Sequence, residues 1–206
     1  PGLKIHVFGL TVTLESPEHS IRRCEFDHWL LERSGAEVAN HYVQDIRRED
    51  GFYVIDDTYR CTYLVGAGGT RCPVYRTLFA GAHPRGKGLQ VVALEQEFPF
   101  EWRDGDCHLW FFQGGLPGYA WYVPKAGGHL NVGIGGSAAG LKARGDAIKN
   151  HWDGLAHTLE NDGLVGGHAY QTGGFSYYLR GVRDIPRVDN AFVIGDAAGL
   201  ATRDLC

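Results

Sequence analysis

The chain has 206 residues, 44% of them hydrophobic, which suits one large domain or two small ones with a substantial core. Its formal net charge is −4, with acidic and basic residues interspersed, so there is neither a nucleic-acid footprint nor a polybasic membrane anchor. The five cysteines, Cys24, Cys61, Cys72, Cys107 and Cys206, form no CxxC pair, which argues against a disulfide framework and a zinc site and for a reducing, cytoplasmic setting.

No apolar run approaches the roughly 18 residues that span a bilayer, which leaves only peripheral membrane contact open. The chain contains no Met, starts at Pro1 and stops at Cys206 just where a helix should follow Gly199, so it reads as a piece of a longer protein. Glycine is abundant, 30 residues, but the glycines fall at turns and not in a repeat, which excludes collagen-like and linker behaviour.

In chain order, Lys4 to Leu14 is rich in β-branched residues and reads as one or two strands interrupted by a bulge at Gly9, followed by a turn over 16–20. From Arg23 to Arg33 the residues Phe26, Trp29 and Leu30 fall at helical spacing, and Ser34-Gly35 supplies a left-handed end. Glu37 to Val43 reads as a strand, Ile46 to Ile55 as a hairpin around Glu49-Asp50-Gly51, and Tyr59 to Val65 as a single strand. Gly66-Ala67-Gly68-Gly69 follows, then a short helix from Pro73 to Phe79. This strand-glycine-helix order points either to a nucleotide site or to a plain tight turn, and it lacks the GxGxxG spacing.

From about Gly88 the pattern becomes that of a meandering antiparallel sheet, with strands at Gln90 to Phe98, Cys107 to Phe112 and Ala120 to Val123. His129 to Gly135 pairs back on Tyr119 to Pro124 across Ala126-Gly127-Gly128. Leu141, Ile148, Trp152, Leu155 and Leu159 then step as in one amphipathic helix packed on the sheet, and Tyr170 to Leu179 returns to strand. None of the ten histidines has metal-ligand spacing on one helix face, so they read as scattered polar or core residues.

The stretch from Val188 to Leu200 carries the most chemistry. The run Ala191-Phe-Val-Ile194 has the composition of a short buried strand, and it delivers Asp196 into a turn of small residues, Gly195, Ala197, Ala198 and Gly199. A carboxylate there can accept hydrogen bonds from sugar-like hydroxyls while backbone N–H groups hold a phosphate; alternatively, Asp196 caps the helix that follows.

Four segments in order resemble an FAD-dependent oxidoreductase of the p-hydroxybenzoate hydroxylase fold, and within it the geranylgeranyl reductase family. Arg23-Cys-Glu-Phe-Asp-His-Trp-Leu30 with Gly35-Ala-Glu-Val38 resembles that family's R-x-x-F-D-x-x-L segment and GAEV strand. Tyr63 to Arg71 resembles its V-G-A-D-G-x-R segment, with Gly68 in place of the acid. Pro117 to Pro124 with Asn131-Val-Gly-Ile-Gly135 resembles P-x-Y-x-W-x-F-P and NVG, and Asn190 to Gly199 resembles the GDAAG segment.

The resemblance implies a mixed α/β (α+β) fold: a partial FAD/NAD(P)-binding Rossmann-like domain over 1–87, lacking its first βαβ unit and resumed at 183–206, with an antiparallel-sheet substrate domain inserted over 88–182. It places Asp196 on a ribityl hydroxyl, with Gly195 and Gly199 admitting the ribityl chain and pyrophosphate. Arg23 would lie along the pyrophosphate, Val43 near the adenine, and Gly66, Gly69 and Arg71 in the second flavin segment, while Tyr119 and Trp121 would line the substrate cavity.

The implied activity is hydride transfer through FAD to or from an apolar, isoprenoid-like substrate, with NAD(P)H or another external donor regenerating the reduced cofactor. Two alternatives share these residues: a flavin monooxygenase acting on an aromatic substrate, and a non-catalytic binding fragment. No side chain stands out in the sequence as an acid or base, and ordinary strand packing also explains Tyr119 and Trp121.

Overall fold

The computed structural model describes residues 2–17, 19–181 and 186–203; the expected turn at 16–20 lies partly outside them and Cys206 wholly outside. Thirteen strands run in chain order as β1 Gly2–Val7, β2 Leu10–Glu15, β3 Ile46–Glu49, β4 Phe52–Ile55, β5 Tyr59–Cys61, β6 Leu64–Gly66, β7 Gln90–Pro99, β8 Cys107–Phe111, β9 Gly118–Lys125, β10 His129–Ser137, β11 Gly173–Tyr178, β12 Arg187–Val188 and β13 Ala191–Val193. Three α-helices accompany them among the described residues, α1 Arg23–Ser34, α2 Ala138–Ala143 and α3 Ile148–Asn161.

The fold is mixed α/β, as expected, and divides into two compact units. Val92–Phe175 forms the first with the chain up to Val38; Ala39–Val91 forms the second with the chain from Ser176 on. The start of the chain therefore packs with the large sheet, because β1 lies parallel to β8 with Ile5 opposite Leu109.

In the first unit a seven-stranded sheet has the order β11-β7-β10-β9-β8-β1-β2. The expected antiparallel pairings form, β8 with β9 and β9 with β10, and β1 is added beside β8 as a parallel neighbour. The expected β9/β10 hairpin forms, with Gly133 opposite Trp121 and Gly135 opposite Tyr119. β1 and β2 are two strands joined by a tight turn rather than one bulged strand: Phe8 and Gly9 both take positive φ, 49° and 80°, the geometry of a two-residue hairpin loop.

Alternation along β9 sends Ala120 and Tyr122 to one face and Tyr119 and Trp121 to the other. On the first face Trp110, Tyr122, Leu130, Val132 and Ile134 form the core with Leu141, Trp152, Leu155 and Leu159. The single helix expected from those last residues is two, α2 and α3. The seven-residue step from Leu141 to Ile148 spans a break at Gly145, whose φ of 64° no continuing helix accommodates.

His108 is a core histidine satisfied by neighbours: its Nδ1 meets His6 Nε2 at 3.1 Å and its Nε2 meets Asp104 Oδ2 at 3.1 Å. Helix α1 ends at Gly35 with φ 62°, as its sequence predicts, but none of its residues is buried and Trp29 is 49% exposed.

In the second unit β3, β4 and β5 form an antiparallel sheet, with Asp50 and Gly51 making the expected hairpin turn at φ 48° and 82°. A second sheet has the order β12-β13-β6, in which β13 runs parallel to β6. The single strand expected from Tyr59 to Val65 is thus split between two sheets, broken at Thr62 and Tyr63, because β5 pairs with β4 and β6 with β13.

The strand expected at Glu37 to Val43 does not form: no neighbouring strand takes its backbone groups, and Val38 and Tyr42 are exposed. The following residues are instead pinned by a carboxylate. Asp56 accepts the backbone N–H of Gln44 at 3.1 Å and of Asp45 at 2.6 Å, and lies 2.7 Å from His41 Nε2.

The Asp45 backbone bond, then the His41 contact, hold the Asp56 carboxyl below the usual carboxylate range. Its stabilising contribution is therefore present above the unfolded-state value, about 3.9, and is lost as pH falls through the lower folded value. Asp56→Asn should flatten the dependence of the urea midpoint on pH below about pH 4 and leave the midpoint's remaining pH dependence unchanged; an unaltered acid slope would refute this assignment.

Among the described residues the cysteines are free, and no cluster of His, Cys, Asp and Glu could hold a metal ion. No helix among the described residues is long and apolar enough to cross a membrane.

Candidate functional site

Two glycine turns that lie far apart in sequence meet in the second unit. β6 and β13 are adjacent and parallel, with Gly66 opposite Val193, so their carboxyl ends emerge side by side. Past these ends the chain makes matching 3-10 turns, Gly69–Arg71 and Gly195–Ala197, tied at their base by Ile194 N–H donating to Gly66 O at 3.1 Å. The crevice beyond the carboxyl ends of parallel strands is where α/β sheets bind ligands, because backbone N–H groups and small residues converge there.

The glycines divide by role. Gly69 and Gly195 take φ of 66° and 55°, and a Cβ on either would meet nothing within 4 Å, so both leave open space above the turn. Gly66 is buried, and a Cβ there would lie 2.7 Å from Val74 Cβ and 2.8 Å from Cys72 Sγ; it serves close packing of the following helical segment. Gly199, also left-handed at 67°, packs against Tyr178.

Asp196 stands at the rim of this crevice, exposed. It does not cap a helix through its side chain, and among the described residues the carboxylate has neither hydrogen bond nor ion pair. Arg71 is likewise exposed and without a side-chain partner among the described residues. The first turn has no acid of its own, since Gly68 stands where the related segment carries one.

Sequence reasoning missed the residue that fastens the two turns. Arg85 donates from Nη1 to Thr70 O at 2.8 Å and from Nη2 to Ala197 O at 2.5 Å, and its guanidinium stacks on Tyr75 at 3.6 Å from the ring centre. Its Nε is buried without a partner among the described residues. Beside it opens a cavity of about 470 Å³ lined by Tyr75, Arg85, Tyr178, Val193, Ala198 and Gly199. A lone arginine in a His-Pro-Arg-Gly loop carries no local signal of this bridging.

Of the remaining expected residues, Val43 is partly buried against the second unit's core and not in either turn. Arg23 lies on α1 in the first unit, 78% exposed, with its guanidinium held by Asp27 one helical turn on at 3.1 Å.

Tyr119 and Trp121 do share a face, the one opposite the helices, with ring centres 5.7 Å apart. The strand pairings build that face in two rows: Val12, Ile5, Leu109, Trp121 and Gly133 in one, Leu10, Val7, Phe111, Tyr119 and Gly135 in the next. A Cβ on Gly133 would overlap the Cζ2 and Cε2 atoms of Trp121, so the indole lies flat on the glycine. Trp121 Nε1 donates to Asn131 Oδ1 at 2.6 Å, giving this apolar surface one fixed polar anchor.

No family model matches the sequence, and no curated protein matches it. Solved structures do. A geranylgeranyl bacteriochlorophyll reductase-like protein from Thermoplasma acidophilum superposes with a TM-score of 0.69 at 21% identity, over 97% of this chain and 55% of that one. The flavin-dependent halogenase CmlS gives 0.64 at 19% identity, over 97% and 41%. PqsL, a probable FAD-dependent monooxygenase from Pseudomonas aeruginosa, gives 0.61 at 16%, over 97% and 61%. The chain therefore has the fold of FAD-dependent oxidoreductases of this kind and spans about half the length of the structures it matches.

Proposed function

We propose that the chain is the portion of an FAD-dependent oxidoreductase that holds part of the cofactor in its second unit and presents an apolar substrate wall in its first. The observation that carries this reading is the pair of glycine turns at the carboxyl ends of β6 and β13, open above Gly69 and Gly195 and edged by Asp196, whose carboxylate has no partner among the described residues.

These residues fit the cofactor. Asp196 would accept hydrogen bonds from ribityl hydroxyls, and Gly195 and Gly199 would admit the ribityl chain and pyrophosphate. Gly69 and Arg71 would flank the cofactor from the first turn, with Gly66 supporting that turn from below. Val43, half-buried against the same unit's core, is assigned to the adenine side.

When bound, FAD supplies two-electron hydride chemistry, and the protein's part is to orient it and shape a dry site. Tyr119 and Trp121 suit an unsaturated apolar substrate, as rigid rings that give up little entropy on contact. The reading is therefore a reductase or dehydrogenase of the geranylgeranyl reductase kind, with NAD(P)H or another external donor supplying electrons.

The test is flavin retention by the protein at its natural full length. Native purification should give flavin absorbance, or FAD added to the apoprotein should restore it, and NAD(P)H or dithionite should bleach it reversibly. Absence of flavin both before and after FAD addition overturns the reading. Oxygen incorporation into an aromatic product would instead assign the monooxygenase reaction.

A further inference from the structure

The helix-side face of the first unit's sheet carries a chain of polar groups at its β1/β2 edge. β1 places Lys4 opposite His108 and His6 opposite Trp110, and β2 places Thr11 opposite His6. Thr11 Oγ1 lies 3.0 Å from His6 Nδ1, His6 Nε2 lies 3.1 Å from His108 Nδ1, and His108 Nε2 lies 3.1 Å from Asp104 Oδ2. Lys4 Nζ ends the chain, 2.6 Å from Asp104 and 3.1 Å from Asp106.

The Asp104 end fixes the direction of every hydrogen bond in it. Burial alone would raise the Asp104 carboxyl, but the Lys4 bond, the Asp106 N–H and His108 outweigh it and bring it down to about 2, so Asp104 only accepts. His108 therefore donates from Nε2, which in the neutral ring leaves Nδ1 bare. His6 donates to that nitrogen from Nε2, its own Nδ1 is bare, and the Thr11 hydroxyl donates to it. A hydroxyl within reach of a base that a third group orients is the arrangement of an activated nucleophile. The His6 ring is also held by stacking on Trp110, with ring centres 5.0 Å apart.

The pair opens on space. Thr11 is exposed, and with His6 it lines a cavity of about 510 Å³ whose other walls include Trp110, Phe112, Gln113 and Asp162. Phe112 and Gly114, left-handed at φ 58° and 59°, stand on either side of Gln113, an alternation that turns successive backbone N–H groups to one side and suits an oxyanion. The Asp162 carboxylate disfavours a negatively charged guest.

We propose that Thr11 and His6 are the nucleophile and base of a hydrolytic site for small esters with an uncharged acyl group. The Thr11 oxygen bonds to the carbonyl carbon and gives its proton to His6 Nδ1. The imidazolium passes that proton to the alcohol oxygen as the ester C–O bond breaks, which leaves Thr11 acylated. Water then attacks the acyl carbon, again losing a proton to His6, and that proton returns to the Thr11 oxygen as it leaves. Carboxylic acid and alcohol are released with no change in oxidation state. His108 and Asp104 are positioning residues that hold the His6 tautomer and offset the charge it gains.

Facing His6 are Lys4 from its own strand, His108 from β8 and Asp162 from the end of α3. Burial, then His108, hold the His6 imidazole below the usual histidine range; Lys4 acts in the same direction and Asp162 against it. The base is thus free at neutral pH, and Thr11 loses its acceptor once Nδ1 is protonated.

Hydrolysis of p-nitrophenyl acetate by the full-length protein tests this. Wild type should release p-nitrophenol above the buffer rate, with a fall on the acid side centred below the ordinary histidine value, about 6.5. Thr11→Val keeps the shape and suits a strand, and it should lower kcat by about 10²–10⁴-fold, whereas Thr11→Ser should retain turnover. His6→Gln should lose the acid-side fall together with the activity, and acid-quenched wild type should carry the acetyl group on Thr11. Wild-type turnover at the buffer rate, equal turnover in wild type and Thr11→Val, or an acetyl group trapped on another residue overturns the proposal.

Discussion

Gly133→Ala should unseat Trp121. The added methyl overlaps two atoms of the indole, which lies on the glycine directly opposite it in the neighbouring strand. Two losses combine: overpacking of about 1–3 kcal/mol and the Trp121–Asn131 hydrogen bond, about 1 kcal/mol. The better strand propensity of alanine returns roughly 0.5–1 kcal/mol. At about 2–4 °C per kcal/mol for a chain of this size, the net loss of roughly 1–3.5 kcal/mol should lower the melting temperature by about 2–14 °C.

The same substitution should shift tryptophan emission to the red, since a displaced indole is wetter. Trp121→Val placed on top of Gly133→Ala should recover part of the stability, because two residues in contact are not additive. Thermal unfolding of the three proteins decides the matter; an unchanged melting temperature in Gly133→Ala would mean that the ring does not lie on the glycine.

That seat was half legible in the sequence. The hairpin across Ala126-Gly127-Gly128 was readable from the strand pattern, but neither Gly133 standing opposite Trp121 nor the indole lying down on the glycine was. The Asp50-Gly51 turn and the Gly35 helix end are likewise written in a few adjacent residues, and both stand where expected. Features that depend on a distant partner were not visible. A strand at Glu37 to Val43 needs a neighbour that these residues do not name, and Leu141 and Ile148 keep helical phase across a break that only the Gly145 backbone reveals.

The site follows the same rule. Each glycine turn could be read as strand, bare backbone and helix start, but their juxtaposition comes from β6 lying parallel to β13, a pairing across more than a hundred residues. Arg85 belongs to neither turn and joins both through backbone carbonyls, which no side-chain pattern announces.

Asp196→Ala separates a ligand-binding carboxylate from a structural one. The side chain is exposed and without a partner among the described residues, so its removal should change the stability of the apoprotein by no more than about 0.5 kcal/mol, the range of ordinary surface substitutions. In the complex the carboxylate would accept from a ribityl hydroxyl, and a hydrogen bond to a charged group contributes about 1.5–3 kcal/mol. The dissociation constant for FAD should therefore rise about 10- to 150-fold. Asp196→Asn keeps an acceptor oxygen without the charge and should fall between the two proteins. FAD titration followed by flavin fluorescence, with melting temperatures measured on the apoproteins, distinguishes the cases. An unchanged affinity in Asp196→Ala removes the carboxylate from the cofactor site, and a large drop in apoprotein stability would make Asp196 a structural residue of the turn.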